Sequence, residues 1–104
     1  MGESDNHSVR IDKWLWAARF FKTRSLAVDA VNAGRVEVNG ERVKPAKSIK
    51  CGDRLLVRKP PVEFQVLVKA IADKRGSAVI AQTLYEESPE SVAAREKVSA
   101  ELRA

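Results

Sequence analysis

The densest chemistry in the sequence sits at Lys22-Thr23-Arg24-Ser25, two cations and two hydroxyls in four residues. At the start of a helix these side chains would stand beside backbone N–H groups that lack intrahelical acceptors and beside the positive end of the dipole. Together they favour an anion such as phosphate. Thr23 and Ser25 also suit plain capping, which is the simpler role for Thr23. Just upstream, Lys13, Trp16, Arg19 and Phe20 fall opposite or beside the apolar stripe of a helix, so rings interleave with cations. An exposed ring in such company can stack on an unpaired base, worth about 1–3 kcal/mol per base. Large aromatics are more often covered, however, and here the appended strands or the terminal helix could cover them. Arg35, Lys44, Lys47 and Lys50 carry the positive charge onward through a hairpin and the loop after it.

Other chemistry has little to build on. Cys51 is the single cysteine and His7 the single histidine, too few for a disulfide or a zinc site, so no cofactor or metal is expected. Cys51 has the basic neighbours Lys50 and Arg54 but no nearby histidine to serve as its base, and Asp12, Asp29 and Asp53 fall in helix or turn signals. Catalysis is therefore not expected. The net charge of +5 hides an asymmetry: residues 10–59 hold thirteen Lys and Arg against five acids, a surplus of eight, while residues 60–104 hold six against seven. Charge so concentrated attracts polyanions, among which nucleic acid is the commonest inside cells. No apolar run approaches the roughly 20 residues that span a bilayer, and Met1 to Ser8 are polar, so a cytoplasmic protein is expected.

The elements that must hold these residues can be read from period and punctuation. With 104 residues, a 44% hydrophobic fraction and few glycines, the chain suits one compact α+β unit. Ile11, Trp14, Leu15, Ala18 and Phe21 recur at helical spacing over 10–22. A second helix runs from its cap at Thr23, through Leu26, Ala27, Ala30 and Val31, to Gly34. The pair is expected to pack as a two-helix hairpin. Val36 to Val43 alternates around Asn39-Gly40, the mark of a tight β-hairpin, and Gly52-Asp53 leads into a strand over 54–58. Lys59-Pro60-Pro61 reads as a stiff boundary between a first unit, 9–58, and an appendage, 62–104, within the same compact body. In the appendage, 64–70 and 78–84 read as strands of a hairpin across 74–77. Ser88-Pro89-Glu90 starts a last helix.

Arg10-Ile11-Asp12-Lys13, Thr23-Arg24-Ser25 with Ala27, Gly34-Arg35-Val36-Glu37-Val38-Asn39-Gly40 and Gly52-Asp53 resemble the S4 RNA-binding domain over residues 9–57. The run from Asp12 to Arg24, with Leu84-Tyr85-Glu86-Glu87, is similar to the bacterial fifteen-kilodalton heat-shock family, a likeness covering nearly the whole chain. The resemblance implies a two-helix hairpin on a small, mostly antiparallel sheet. It also implies a factor without catalysis that binds ribosomal RNA on free large ribosomal subunits still carrying nascent chain on tRNA, in rescue and recycling under heat stress. The contacts it implies are Arg10, Lys13, Arg19, Lys22, Thr23, Arg24, Ser25, Arg35, Asn39, Lys44 and Lys47. Asp12 would be structural, orienting neighbouring cations or capping the first helix.

Three other readings compete. The chain could be the recognition fragment of an RNA-modifying enzyme, which needs a positioned catalytic residue. It could be a chaperone or protein-interaction module, which needs exposed aromatics. Weak DNA binding through phosphates is a third, since phosphate contacts alone do not separate the two nucleic acids. A monomer is expected in each case.

Overall fold

The computed structural model describes residues 8–103, and Met1 to His7 and Ala104 lie outside the described residues. Its elements run β1 (Ser8–Arg10), α1 (Ile11–Ala17), α2 (Arg24–Asn32), β2 (Val36–Val38), β3 (Glu41–Arg42), β4 (Ser48–Lys50), β5 (Arg54–Lys59), β6 (Val62–Val68), α3 (Ala78–Gln82), β7 (Tyr85–Glu87) and α4 (Pro89–Arg103). One antiparallel sheet has the order β3-β2-β5-β6-β7, and β1 pairs with β4 as a separate ribbon. Alternate residues of the sheet, Val36, Val38, Leu55, Val57, Val66 and Val68, meet Ile11, Trp14, Leu15, Ala27 and Val31 from the two helices in one core. The α+β class is as the sequence indicates.

Both helices stop by the same device. In α2, Gly34 adopts φ +78° and its N–H donates to Val31 C=O, while Arg35 N–H donates to Ala30 C=O. This double closure satisfies carbonyls that the helix end would otherwise orphan. In α1, Arg19 holds the corresponding place at φ +67°, with Arg19 N–H on Trp16 C=O and Phe20 N–H on Leu15 C=O. A left-handed arginine is costly, and its guanidinium compensates by donating twice to Gly76 C=O, at 3.0 and 2.9 Å. The first helix therefore ends at Ala17, five residues short of the expected end at Lys22, because a non-glycine stop does not show in the spacing of apolar residues.

The hairpin turn is as read: Asn39 and Gly40 both have positive φ, and Asn39 fastens the turn to Asp53 and Arg54 at the start of β5. Other expectations need correction. Pro60-Pro61 is not a linker. It makes the tight turn between β5 and β6, which stay paired out to Lys59 and Val62. Residues 78–84 are not a strand either. Ser77 Oγ accepts from Ile80 N–H and starts the short helix α3, and the strand that pairs with β6 is Tyr85–Glu87. An unalternating apolar run of four residues fits either state, and the serine cap decides it. Strands β1 and β4, three residues each, are additions: β1 takes Arg10 from the start of the expected first helix, and β4 falls in an expected loop.

Candidate nucleic-acid interface

Two cations of the first half, Arg10 and Arg24, converge on one buried carboxylate. Asp12, 1% exposed, lies in the first turn of α1 and accepts Lys13 N–H at 2.7 Å. Arg10, at the end of β1, donates to both its oxygens, Nε to Oδ1 at 3.1 Å and Nη2 to Oδ2 at 3.0 Å. Arg24, in the first turn of α2, brings Nε to 3.5 Å from the same Oδ2. One carboxylate thus ties β1, α1 and α2 together and sets two guanidiniums side by side. Asp12 orients cations as expected, and the capping of α1 falls elsewhere. Ile11 N–H donates to Lys47 C=O at 2.8 Å and Asp12 N–H to Pro45 C=O at 3.4 Å. Those bonds draw the loop of Lys44 and Lys47 onto the same point.

At the α2 start, Thr23 Oγ1 accepts from Leu26 N–H at 3.1 Å, so Thr23 is the cap, with Lys22 and Ser25 exposed beside it. Among the described residues, Lys13, Lys22, Arg35, Lys44 and Lys47 take part in no ion pair. At Asp12 the structure brings together the Arg10 and Arg24 side chains, with Lys13 next in sequence, the backbone of the 44–47 loop on the first turn of α1, and Lys22 and Ser25 flanking Thr23 and Arg24. Three expected contacts stand apart. Arg35 lies beyond the far end of α2, about 13 Å along the helix. Arg19 is engaged with Gly76, and the Asn39 amide donates to Asp53 Oδ1 and accepts from Arg54 N–H. Lys50 pairs with Asp53 at 3.3 Å. Burial works against the ionised Asp53 carboxyl, but the Lys50 amide, the Asn39 amide and the Lys50 ammonium outweigh it, and the carboxyl sits below its ordinary value.

The rings do not line this surface. Phe20 is 5% exposed, between Trp14, Phe64 and Tyr85. Trp16 is half-buried against the core, and Lys59 Nζ stands 5.3 Å from the Phe21 ring centroid while donating to Phe20 C=O. The appended strands cover Phe20 with Phe64 and Tyr85, whereas Trp16 and Phe21 are only half-buried. Three features escaped the sequence reading: the loop carbonyls of Pro45 and Lys47, the Arg42 donation to Asn32 C=O, and the Arg75 donation to Trp16 C=O. Backbone acceptors carry no residue signature, so nothing in the sequence could have shown the first. No group of three or more possible metal-binding side chains, and no helix long and apolar enough to cross a membrane, occurs among the described residues.

Residues 9–55 match the S4 domain family. Heat shock protein 15 of Escherichia coli K12 is 48% identical over 99 residues, covering 95% of this chain and 74% of that protein. Its Haemophilus influenzae homolog is 43% identical over 91 residues, 88% and 70% of the two chains. The RQC P-site tRNA stabilizing factor of Listeria innocua is 39% identical over 54 residues, 52% of this chain and 59% of that one. Among solved structures, Vibrio cholerae heat shock protein 15, described as trimeric, superposes with a TM-score of 0.84 at 45% identity over 89% of this chain and 94% of that one. With an S4 domain and likeness of this extent and depth, the chain belongs to the heat shock protein 15 family.

Proposed function

We propose that the chain is a non-catalytic RNA-binding factor of the large ribosomal subunit, acting on free subunits that still carry nascent chain on tRNA and helping to return them to use under heat stress. Family membership supports this, as does the likeness of its S4 half to proteins named for stabilising P-site tRNA. The observation that carries the reading is the cluster around Asp12, where cations from β1, α1, α2 and the 44–47 loop form one surface. Arg10, Lys13, Lys22, Arg24, Lys44 and Lys47 neutralise phosphates and Ser25 donates to one. Arg19, Thr23 and Asn39 hold the backbone that presents them, and Arg35, beyond the far end of α2, lies off this surface. Such contacts position the protein on folded RNA by shape, without reading base sequence. DNA, which offers phosphates in another helical form, binds weakly. The proposed binding unit is a monomer, a reading supported by a single chain supplying both arginines on Asp12.

The test is co-sedimentation with purified large subunits at near-physiological salt with competitor DNA present. Comigration with subunits loaded with peptidyl-tRNA in preference to empty ones is expected. Protein left at the top of both gradients would refute the ribosomal assignment, and a modified nucleoside in RNA incubated with the protein would refute the absence of catalysis.

A further inference from the structure

We infer that Asp12 is a positioning residue that gives the surface its preference for folded RNA over flexible polyanions, by fixing Arg10 and Arg24 as a two-armed fork for one phosphate group. The inference rests on the RNA-binding reading above and adds the origin of its selectivity. Both arms meet the same oxygen, Oδ2, at 3.0 and 3.5 Å, so the two guanidiniums are neighbours. Their side chains remain 49% and 43% exposed, which leaves N–H groups not engaged by Asp12 available to a ligand. A guanidinium is planar and matches a phosphate with paired donors, so its orientation matters as well as its charge.

The sign of Asp12's own charge separates this role from general attraction. A carboxylate in the middle of a cation cluster lowers the net charge by one and weakens the pull on any polyanion. Its contribution is orientation. An arginine on an unsupported side chain gives up rotamer freedom each time it meets a phosphate, whereas a pinned one has given it up on folding. Pinning helps against a rigid partner whose phosphates are fixed in space. Against a flexible chain it gains little, because that partner adapts to any arrangement.

Two variants test this, Asp12→Asn and Arg24→Lys, each titrated against deproteinised large-subunit ribosomal RNA folded with magnesium and against heparin. Asp12→Asn raises the net charge by one, so charge alone predicts tighter binding to both probes. The fork predicts affinity for folded RNA lower by about tenfold, the loss of one charge-assisted hydrogen bond, with heparin binding unchanged or tighter. Arg24→Lys keeps the charge at a position 43% exposed, and with its melting checked against wild type it should lose a similar factor on folded RNA and none on heparin. Variants that hold folded RNA as tightly as wild type overturn the inference, and so does an equal loss on both probes. Wild type that fails to bind the folded RNA at all overturns the RNA reading itself, and the two failures are thereby distinct.

Discussion

Replacing Lys47 by Ala should change the salt dependence of RNA binding, and replacing Arg35 by Ala should change it much less. The 44–47 loop is bonded to the first turn of α1, whereas Arg35 stands about 13 Å along α2 from Arg24, beyond the Debye length of about 8 Å at physiological salt. The proposed surface holds six cations, Arg10 and Arg24 on Asp12 and Lys13, Lys22, Lys44 and Lys47 on the segments next to them. If each neutralises one phosphate, counterion release gives a slope of log K against log salt of roughly −4 to −5, and affinity falls by about three orders of magnitude between 50 and 200 mM salt. Loss of Lys47 removes one phosphate and makes the slope shallower by about 0.7 to 0.9. Fluorescence anisotropy of a labelled ribosomal RNA fragment at five salt concentrations reads these slopes directly. A wild-type slope shallower than about −2 would refute the six-cation surface. Equal changes for Lys47→Ala and Arg35→Ala would refute its placement around Asp12.

Three further outcomes follow from the packing. Trp14→Phe removes the N–H donated to Ala70 C=O at 2.9 Å and part of a fully buried ring, so stability measured by thermal melting should fall by about 3–4 kcal/mol while RNA affinity of the folded fraction is unchanged. Burial opposes the ionised Glu87, but hydrogen bonds from Arg95 and Ser91 and the Arg95 charge hold its carboxyl below the usual value. Its contribution is therefore complete above the unfolded value of about 4.3 and is lost as pH falls through the lower folded one, so Glu87→Gln should melt earlier at pH 7 and show a flatter acid arm in melts taken from pH 7 to 2. A chain cut after Lys59 leaves β5 without β6, with which it pairs at six positions, and strips Phe64 and Tyr85 from Phe20, so it should show no cooperative melt, and a stable fragment with full RNA affinity would refute the dependence of the first half on the second.

The sequence shows elements best where one residue type does one job. Gly34 and Asn39-Gly40 take the positive φ that their types favour, and Thr23 and Ser88 cap as their hydroxyls suggest. Arg19 breaks that pattern: a stop built on arginine depends on Gly76, 57 positions away, and no local rule anticipates it. The same holds for 78–84, where the choice between helix and strand turned on a serine cap and on a β6 edge already claimed by Tyr85–Glu87. At the candidate site the residue types were legible but their grouping was not. Arg10, Arg24 and Lys47 belong together because of Asp12 and two loop carbonyls, while Arg19 and Asn39, equally basic or polar in the sequence, have their side chains taken up by the fold.

The covered aromatics decide what kind of interface this can be. Had Phe20 and Trp16 faced outward, stacking could have supplied affinity and a preference for unpaired bases. Instead Phe20 sits beneath Tyr85 and Phe64, and the Trp16 carbonyl accepts from Arg75 while Trp14 bonds to Ala70, so the segment after β6 is fastened to the back of α1 at several points. That fastening keeps α1 in place, and α1 carries the carboxylate on which Arg10 and Arg24 rest. On the proposed reading, the second half of the chain serves RNA binding through the rigidity it lends the first. Changing unpaired bases in a bound RNA while preserving its folded backbone should therefore alter affinity little, and a strong dependence on base identity would mean that a ring, Trp16 being half-buried, meets the bases after all.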